Sequence, residues 1–249
     1  MSPLFSPSQK KVIFFDMNNT LVDRRQCFDS AFVKVIDEYT ARWEPDDFTW
    51  TSQDALHSYK LEWSRQRRLS PRQPVSPEEL RQICLQKGLQ PFPVAVNPAF
   101  SRSFFSRVEQ EEDSYVTVFP GVMETLEALS ERYKLAIISN GERTRLESNL
   151  ANLKLDKWIS EDRLFSSKRD GIRKPQSAIY ETAMEAMKVT PEQCVMVGNS
   201  WKNDVVGPTK CGMDAIWIHA AHIKKVSQKK LGKQKVIIIR AFKHLLDAF

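Results

Sequence analysis

The chain has 249 residues, a formal net charge of +6 and four cysteines, so it is long enough to bury a full α/β core without staples. Cys27, Cys84, Cys194 and Cys211 are scattered with no C-x-x-C spacing, which argues against a disulfide framework or a zinc site and for a reducing compartment. Ile223–Lys235 alone holds six lysines and no acid, so the rest of the chain is formally neutral; the run reads as a solvated loop or face and argues against a nucleic-acid partner.

In chain order, Met1–Lys11 lacks the charged start and apolar stretch of a secretory signal. No later segment approaches the roughly 20 apolar residues of a membrane span. A cytoplasmic protein with no membrane partner is expected; nothing in the pattern specifies an oligomer. A first buried strand is expected at Lys11–Phe15 (KVIFF), because a continuous apolar run rich in β-branched and aromatic residues suits a strand covered on both faces. After it, from Arg24 to about Thr117, the pattern turns helical. Phe28, Phe32, Val35, Ile36 and Tyr39 form one stripe, and Leu56, Tyr59, Leu61 and Trp63 lie in a second segment. Pro45, Pro71, Pro74, Pro77, Pro91, Pro93 and Pro98 punctuate this insertion and mark helix boundaries. Trp43, Trp50 and Trp63 are expected to pack, and Arg65, Arg67, Arg68 and Arg72 are either a solvated helix face or a surface that greets an anionic substrate.

Strands then recur at Leu135–Ile138, Cys194–Val197, Ala215–Ile218 and Val236–Ile239, with helices expected over Gly121–Tyr133, Glu142–Leu153 and Ser177–Lys188. Alternating strands and helices imply an α/β fold, a Rossmann-like three-layer core with a parallel sheet. The expected domains are a core of residues 1–23 and 118–249 and a helical subdomain of residues 24–117.

Asp16 follows the first strand directly, at the carboxyl end where open α/β sheets place their ligands. Ser139-Asn140-Gly141 follows the second long strand, Lys174-Pro175 opens a helix, and Gly198-Asn199-Ser200-Trp201-Lys202-Asn203-Asp204 follows CVMV. These parts suit phosphoryl transfer. A carboxylate such as Asp16 can attack phosphorus and form an aspartyl-phosphate, while hydrogen-bond donors and a cation must neutralise the transferred group. Ser139, the backbone around Asn140, and Thr20 are candidates for holding a substrate phosphate, with Lys174 balancing charge. Asp16 and a phosphate repel unless a cation bridges them, and Mg2+ with oxygen ligands is the usual solution; Asp204, with Asn199 nearby, would complete that site.

These four segments, in this order, resemble the four motifs of the haloacid dehalogenase-like superfamily, from Val12 to about Ile218 and including Phe119-Pro120-Gly121, Asp170 to Pro175 and Cys211-Gly212-Met213. The resemblance implies a phosphatase-type hydrolase with an α-helical cap that closes over a small phosphorylated metabolite. It further implies Asp16 as nucleophile and metal ligand, the Asn18 backbone carbonyl as a second ligand, and Asp204 with Asn199 as the rest. Two residues depart from the pattern. The position that protonates the leaving group and activates water is usually Asp and here is Asn18, which cannot do either job; slow turnover, or restriction to good leaving groups, is expected. A usual metal-binding Asp is here Asn199, so metal affinity is expected to fall. Two other readings stay open, a low-activity or non-catalytic ligand-binding protein on this scaffold and a metal-independent dehalogenase. Asn19 and Asn203 read as turn residues, and His219 with His222 as structural or exposed rather than metal ligands.

Overall fold

A computed structural model describes residues 4–5, 8–41, 49–69, 75–167 and 172–249. Trp43, Pro45, Pro71, Arg72, Pro74, Asp170 and Gly171 lie outside the described residues. The chain divides into two compact units, Met1–Arg24 with Thr117–Phe249, and Arg25–Val116.

The larger unit is built on one sheet of seven strands in the order β3-β2-β1-β4-β5-β7-β6. These are β1 (Val12–Phe15), β2 (Lys134–Ser139), β3 (Leu164–Ser166), β4 (Cys194–Gly198), β5 (Asp214–Ile218), β6 (Val226–Leu231) and β7 (Gln234–Ile239). Every pairing is parallel except β6 with β7. β1 lies at the centre, with Val12–Phe15 in register with Lys134–Ile137 on one side and Cys194–Val197 on the other. All four of its residues are buried, which is why its sequence is uniformly apolar rather than alternating. Val12, Phe14, Ala136, Ile138 and Met196 pack on Ile179, Tyr180 and Ala183, which come from the helix Ser177–Met187. This is the expected α/β, Rossmann-like class.

Two strands differ from expectation. β3 has only three residues and one buried side chain, too short to show periodicity. β6 occupies the lysine run expected to be a loop or a solvated face. It is the antiparallel edge of the sheet, turned from β7 at Gly232, whose φ of +64° favours glycine. The apolar β7 needs a partner on that side, and lysines are a usual way to keep an edge strand from recruiting another chain.

The smaller unit is helical in its described residues, with α1 (Arg24–Thr40), α2 (Ser52–Arg68), α3 (Pro77–Gly88) and α4 (Pro98–Glu112). Thr51 and Ser76 each form a reciprocal capping box, with Asp54 and Glu79, and Asn97 caps α4. Pro77 and Pro98 stand in first turns, where a missing N–H costs nothing. Phe32, Val35, Ile36, Leu56, Tyr59, Leu85 and Phe104 form its core. α3 approaches α2 through Gly88, where a Cβ would stand 2.8 Å from the Tyr59 Cα. Two residues of the sequence stripes turn outward, Tyr39 at 39% exposure and Leu61 at 59%; Leu61 falls two positions from Tyr59, which is off the buried face of a helix. No helix among the described residues is long and apolar enough to cross a membrane.

Candidate active site

Because the central strands are parallel, the segments after β1, β2 and β4 emerge at one edge of the sheet. The ladder runs one residue beyond β1, with the Asp16 N–H donating to the Val197 carbonyl at 2.9 Å. The chain then turns back on itself, Leu21 and Val22 both donating to the Met17 carbonyl at 3.0 Å. Asn19 takes the left-handed conformation this turn needs, with φ of +59°, as asparagine does more readily than most residues. The turn places the buried Thr20 hydroxyl 3.1 Å from Asp16 Oδ2 and 3.4 Å from Asn199 Oδ1. A hydroxyl has one proton to donate, and the shorter distance favours Asp16. Asn18 is half-buried; its amide nitrogen lies 3.4 Å from where a Cβ on Gly141 would stand, against the loop after β2.

In that loop Ser139 is buried and its hydroxyl oxygen accepts from the Gly141 N–H at 3.3 Å. The Asn140 side chain clasps the backbone of Lys174 in both directions: its amide donates to the Lys174 carbonyl at 3.0 Å and its oxygen accepts the Lys174 N–H at 2.8 Å. Sequence reading takes Asn140 as a phosphate-binding candidate through its backbone. Its side chain is engaged in fixing Lys174.

Lys174 is 3% exposed, and its ammonium lies 2.8 Å from Asp16 Oδ1 and 2.7 Å from Asp204 Oδ1. Burial acts to lower the lysine pKa, but Asp16 and Asp204 together outweigh it and hold the ammonium above its ordinary range. Asp204 is carried on a π-helical turn, Trp201–Val206, that opens the short helix Gly207–Lys210. Its second oxygen accepts the Ser200 N–H at 2.8 Å. Burial pushes the Asp204 carboxyl up to about 6, with Lys174 opposing that rise.

Three supports of this turn were not read from the sequence. Gly198 leaves room for the Asp204 carboxylate, which a Cβ there would overlap. The buried Tyr180 hydroxyl donates to the Asn203 carbonyl and fills the space over Gly207. Trp217, at the end of β5, donates its indole N–H to the Asn199 carbonyl at 3.0 Å. Only the glycine after a strand carries a local signal; the other two are contacts between residues far apart in the chain. His219 stacks on Trp217 at 4.2 Å, and His222 meets Ser227 at 2.6 Å.

Among the described residues, no group of three or more His, Cys, Asp or Glu side chains gathers to hold a metal. The strand-end donors are all oxygens: the Asp16 and Asp204 carboxylates, the Asn199 amide and nearby backbone carbonyls. Each carboxylate oxygen accepts one bond from the protein and so keeps acceptor capacity. Such a set suits a small hard cation held by one or two carboxylates and suits zinc or copper poorly.

A glyceraldehyde 3-phosphate phosphatase of Pyrococcus furiosus is 26% identical over 208 residues, covering 83% of this chain and 80% of that one. The (S)-2-haloacid dehalogenase 4A of Burkholderia cepacia is 35% identical over 106 residues, covering 42% of this chain and 44% of its own. Among solved structures, the hydrolase YfnB of Bacillus subtilis superposes with a TM-score of 0.65 at 16% identity, over 95% of this chain and 97% of that one. The family model of haloacid dehalogenase-like hydrolases matches residues 10–212, a span holding β1 and all the strand-end segments that meet around Lys174, and the chain belongs to that family.

Proposed function

We propose that this hydrolase is a magnesium-dependent phosphatase acting on a small phosphomonoester through an aspartyl-phosphate on Asp16. The observation that carries the reading is the buried triad in which one ammonium, Lys174, bonds two carboxylates carried by the segments that follow two adjacent strands. A phosphatase relative aligned over four-fifths of both chains supports it.

In this reading an Asp16 oxygen, through a lone pair that its one hydrogen bond leaves available, forms a bond to phosphorus as the bond to the substrate's ester oxygen breaks. Water then cleaves the phospho-carboxylate, releasing phosphate and restoring Asp16. Thr20 and Lys174 hold the Asp16 carboxylate in place, so little reorganisation is needed at attack. Ser139, whose oxygen accepts from Gly141, keeps its own proton to donate to a phosphoryl oxygen. Magnesium, held by Asp16, the Asn18 carbonyl, Asn199 and Asp204, would supply charge neutralisation of the phosphoryl group. Asn18 has no acidic proton, so the leaving oxygen takes its proton from water or departs as a weakly basic anion.

The core is assigned to residues 1–23 and 118–249 and a substrate-selecting cap to residues 24–117, with Arg65, Arg67 and Arg68 as candidates for meeting an anionic substrate. The scattered cysteines and the small phosphorylated substrate fit a cytoplasmic setting. The test is phosphate release from a panel of phosphorylated metabolites and an activated aryl phosphate, with magnesium and with chelator. Release that stops on chelation supports the reading. Chelator-resistant release of halide from a 2-haloacid, with no phosphate release, would instead favour the dehalogenase chemistry named for the Burkholderia relative.

A further inference from the structure

We propose that the outer edge of β6 binds an acidic, extended segment of another protein, which adds to the sheet as a further strand with its carboxylates against the lysines. Such binding does not depend on the chemistry of Asp16.

Charge is the first ground. Between Asp214 and Asp247 the chain holds seven lysines, one arginine and no acid, and without them its net charge of +6 becomes −2. Lys224, Lys225, Lys229, Lys230 and Lys233 are exposed along β6 and at its two ends. None of the five is paired with an acid among the described residues. Lys230 stands directly opposite Lys235 on β7, and like charges so placed are destabilising. Guarding an edge does not require this, because a few lysines on a surface of mixed sign serve that purpose. A strand rich in carboxylates would turn the same repulsion into attraction.

The backbone is the second ground, and it favours a peptide over other polyanions. Among the described residues, β6 has β7 on one side and no strand on the other. The Arg240 N–H donates to the Lys225 carbonyl at 3.0 Å, and in an antiparallel pair the residues bonded to the partner alternate with residues that face away from it. Ser227, Lys229 and Leu231 therefore bond inward as Lys225 does, and Val226, Gln228 and Lys230 turn their N–H and C=O groups outward. Phosphates of a nucleic acid or a lipid accept from such N–H groups but offer nothing to the carbonyls, whereas a peptide strand matches both. Side chains alternate between the two faces of a strand, which puts Lys225 and Lys229 on one face and Lys230 on the other. Carboxylates on either face of an added strand would meet a lysine.

The test is fluorescence anisotropy of a labelled decapeptide of alternating glutamate and threonine, titrated with the intact native chain. Three comparisons accompany it: the same peptide N-methylated at every residue, which keeps the charge and removes the backbone donors, the peptide with glutamine for glutamate, and oligothymidylate or phosphatidylserine vesicles. The glutamate peptide is expected to bind at least about tenfold more tightly than the methylated peptide, which gives up several hydrogen bonds, and at least about tenfold more tightly than the neutral one. Gln228→Pro removes an outward N–H and no inward one, so it should weaken the glutamate peptide by a similar factor with every lysine in place. Should that variant fail to fold, the peptide comparisons on the native chain decide alone. Affinities within about twofold for the plain and methylated peptides overturn strand addition, and equal affinities for the glutamate and glutamine peptides overturn the role of charge. Tighter binding of oligothymidylate or of the vesicles than of the glutamate peptide would assign the lysines to a nucleic acid or a membrane surface and overturn the proposal, as would no binding of the peptide at low ionic strength.

Discussion

Asp16 is held by a hydroxyl on one oxygen and an ammonium on the other, yet nothing at position 18 can pass a proton to a leaving group. That asymmetry, a firmly held carboxylate beside an amide, is what the proposed mechanism has to work with. General acid–base assistance is typically worth about 10²- to 10⁴-fold in rate. Asn18→Asp is therefore expected to raise kcat on phosphomonoesters with poor leaving groups by roughly that factor, and to change an activated aryl phosphate much less. Steady-state phosphate release from the two substrate types checks this, and an equal effect on both would show that leaving-group protonation is not what Asn18 lacks. The candidates around Asp16 were legible one by one, because each stands within a few residues of the end of an apolar strand or, for Lys174, in the turn before a helix; that helix starts at Ser177 with Gln176 as its N-cap, so Pro175 lies in the turn ahead of it and not in its first turn as the sequence suggested. The way they divide their work was not legible. That Asn140 clasps Lys174 across 34 residues, or that Thr20 stands between Asp16 and Asn199, follows from the sheet order, which no local pattern encodes.

At the scale of elements, β1, β2, β4, β5 and β7 announce themselves because strands covered on both faces must be uniformly apolar. β6 hides for the opposite reason. Its residues Gln228, Lys229 and Lys230 are exposed, and only its pairing with β7 makes it a strand. The Lys229 ammonium also lies 3.9 Å from the centre of the Trp201 ring, an attraction that ties the edge to the π-helical turn. If the lysines guard the edge, replacing Lys229 and Lys230 with valine should promote concentration-dependent self-association, seen by light scattering, with little change in the far-ultraviolet spectrum. A variant that stays monodisperse wherever the native chain does would show that they are not needed for this. The π-helical turn was equally unreadable. Its wide geometry depends on the space left by Gly198 and on the Tyr180 hydroxyl beneath it, and such turns often mark functional segments.

For the molecule as a whole, two cores are buried separately, one on the sheet and one among α1 to α4, and each holds a cysteine deep within it. Burial pushes the Cys84 thiol up to about 11 and the Cys194 thiol up to about 12. Both are therefore protonated at pH 8, and it is the thiolate that reacts. In the native state these two should resist a thiol reagent at pH 8, with the less buried Cys211 modified first, and all four should react promptly once denaturant unfolds the chain. Rapid native modification of Cys84 or Cys194 would show that one of the cores opens readily.

The central claim is that Asp16 attacks phosphorus. Mixing the native chain with magnesium and an activated aryl phosphate, quenching in acid within the first turnover, and locating the modified peptide by mass spectrometry tests it directly. A phosphoryl adduct on Asp16 that forms and decays with turnover, and is absent from Asp16→Asn, is the predicted result. Phosphate release that proceeds with no adduct on Asp16, or that persists in Asp16→Asn, would contradict it.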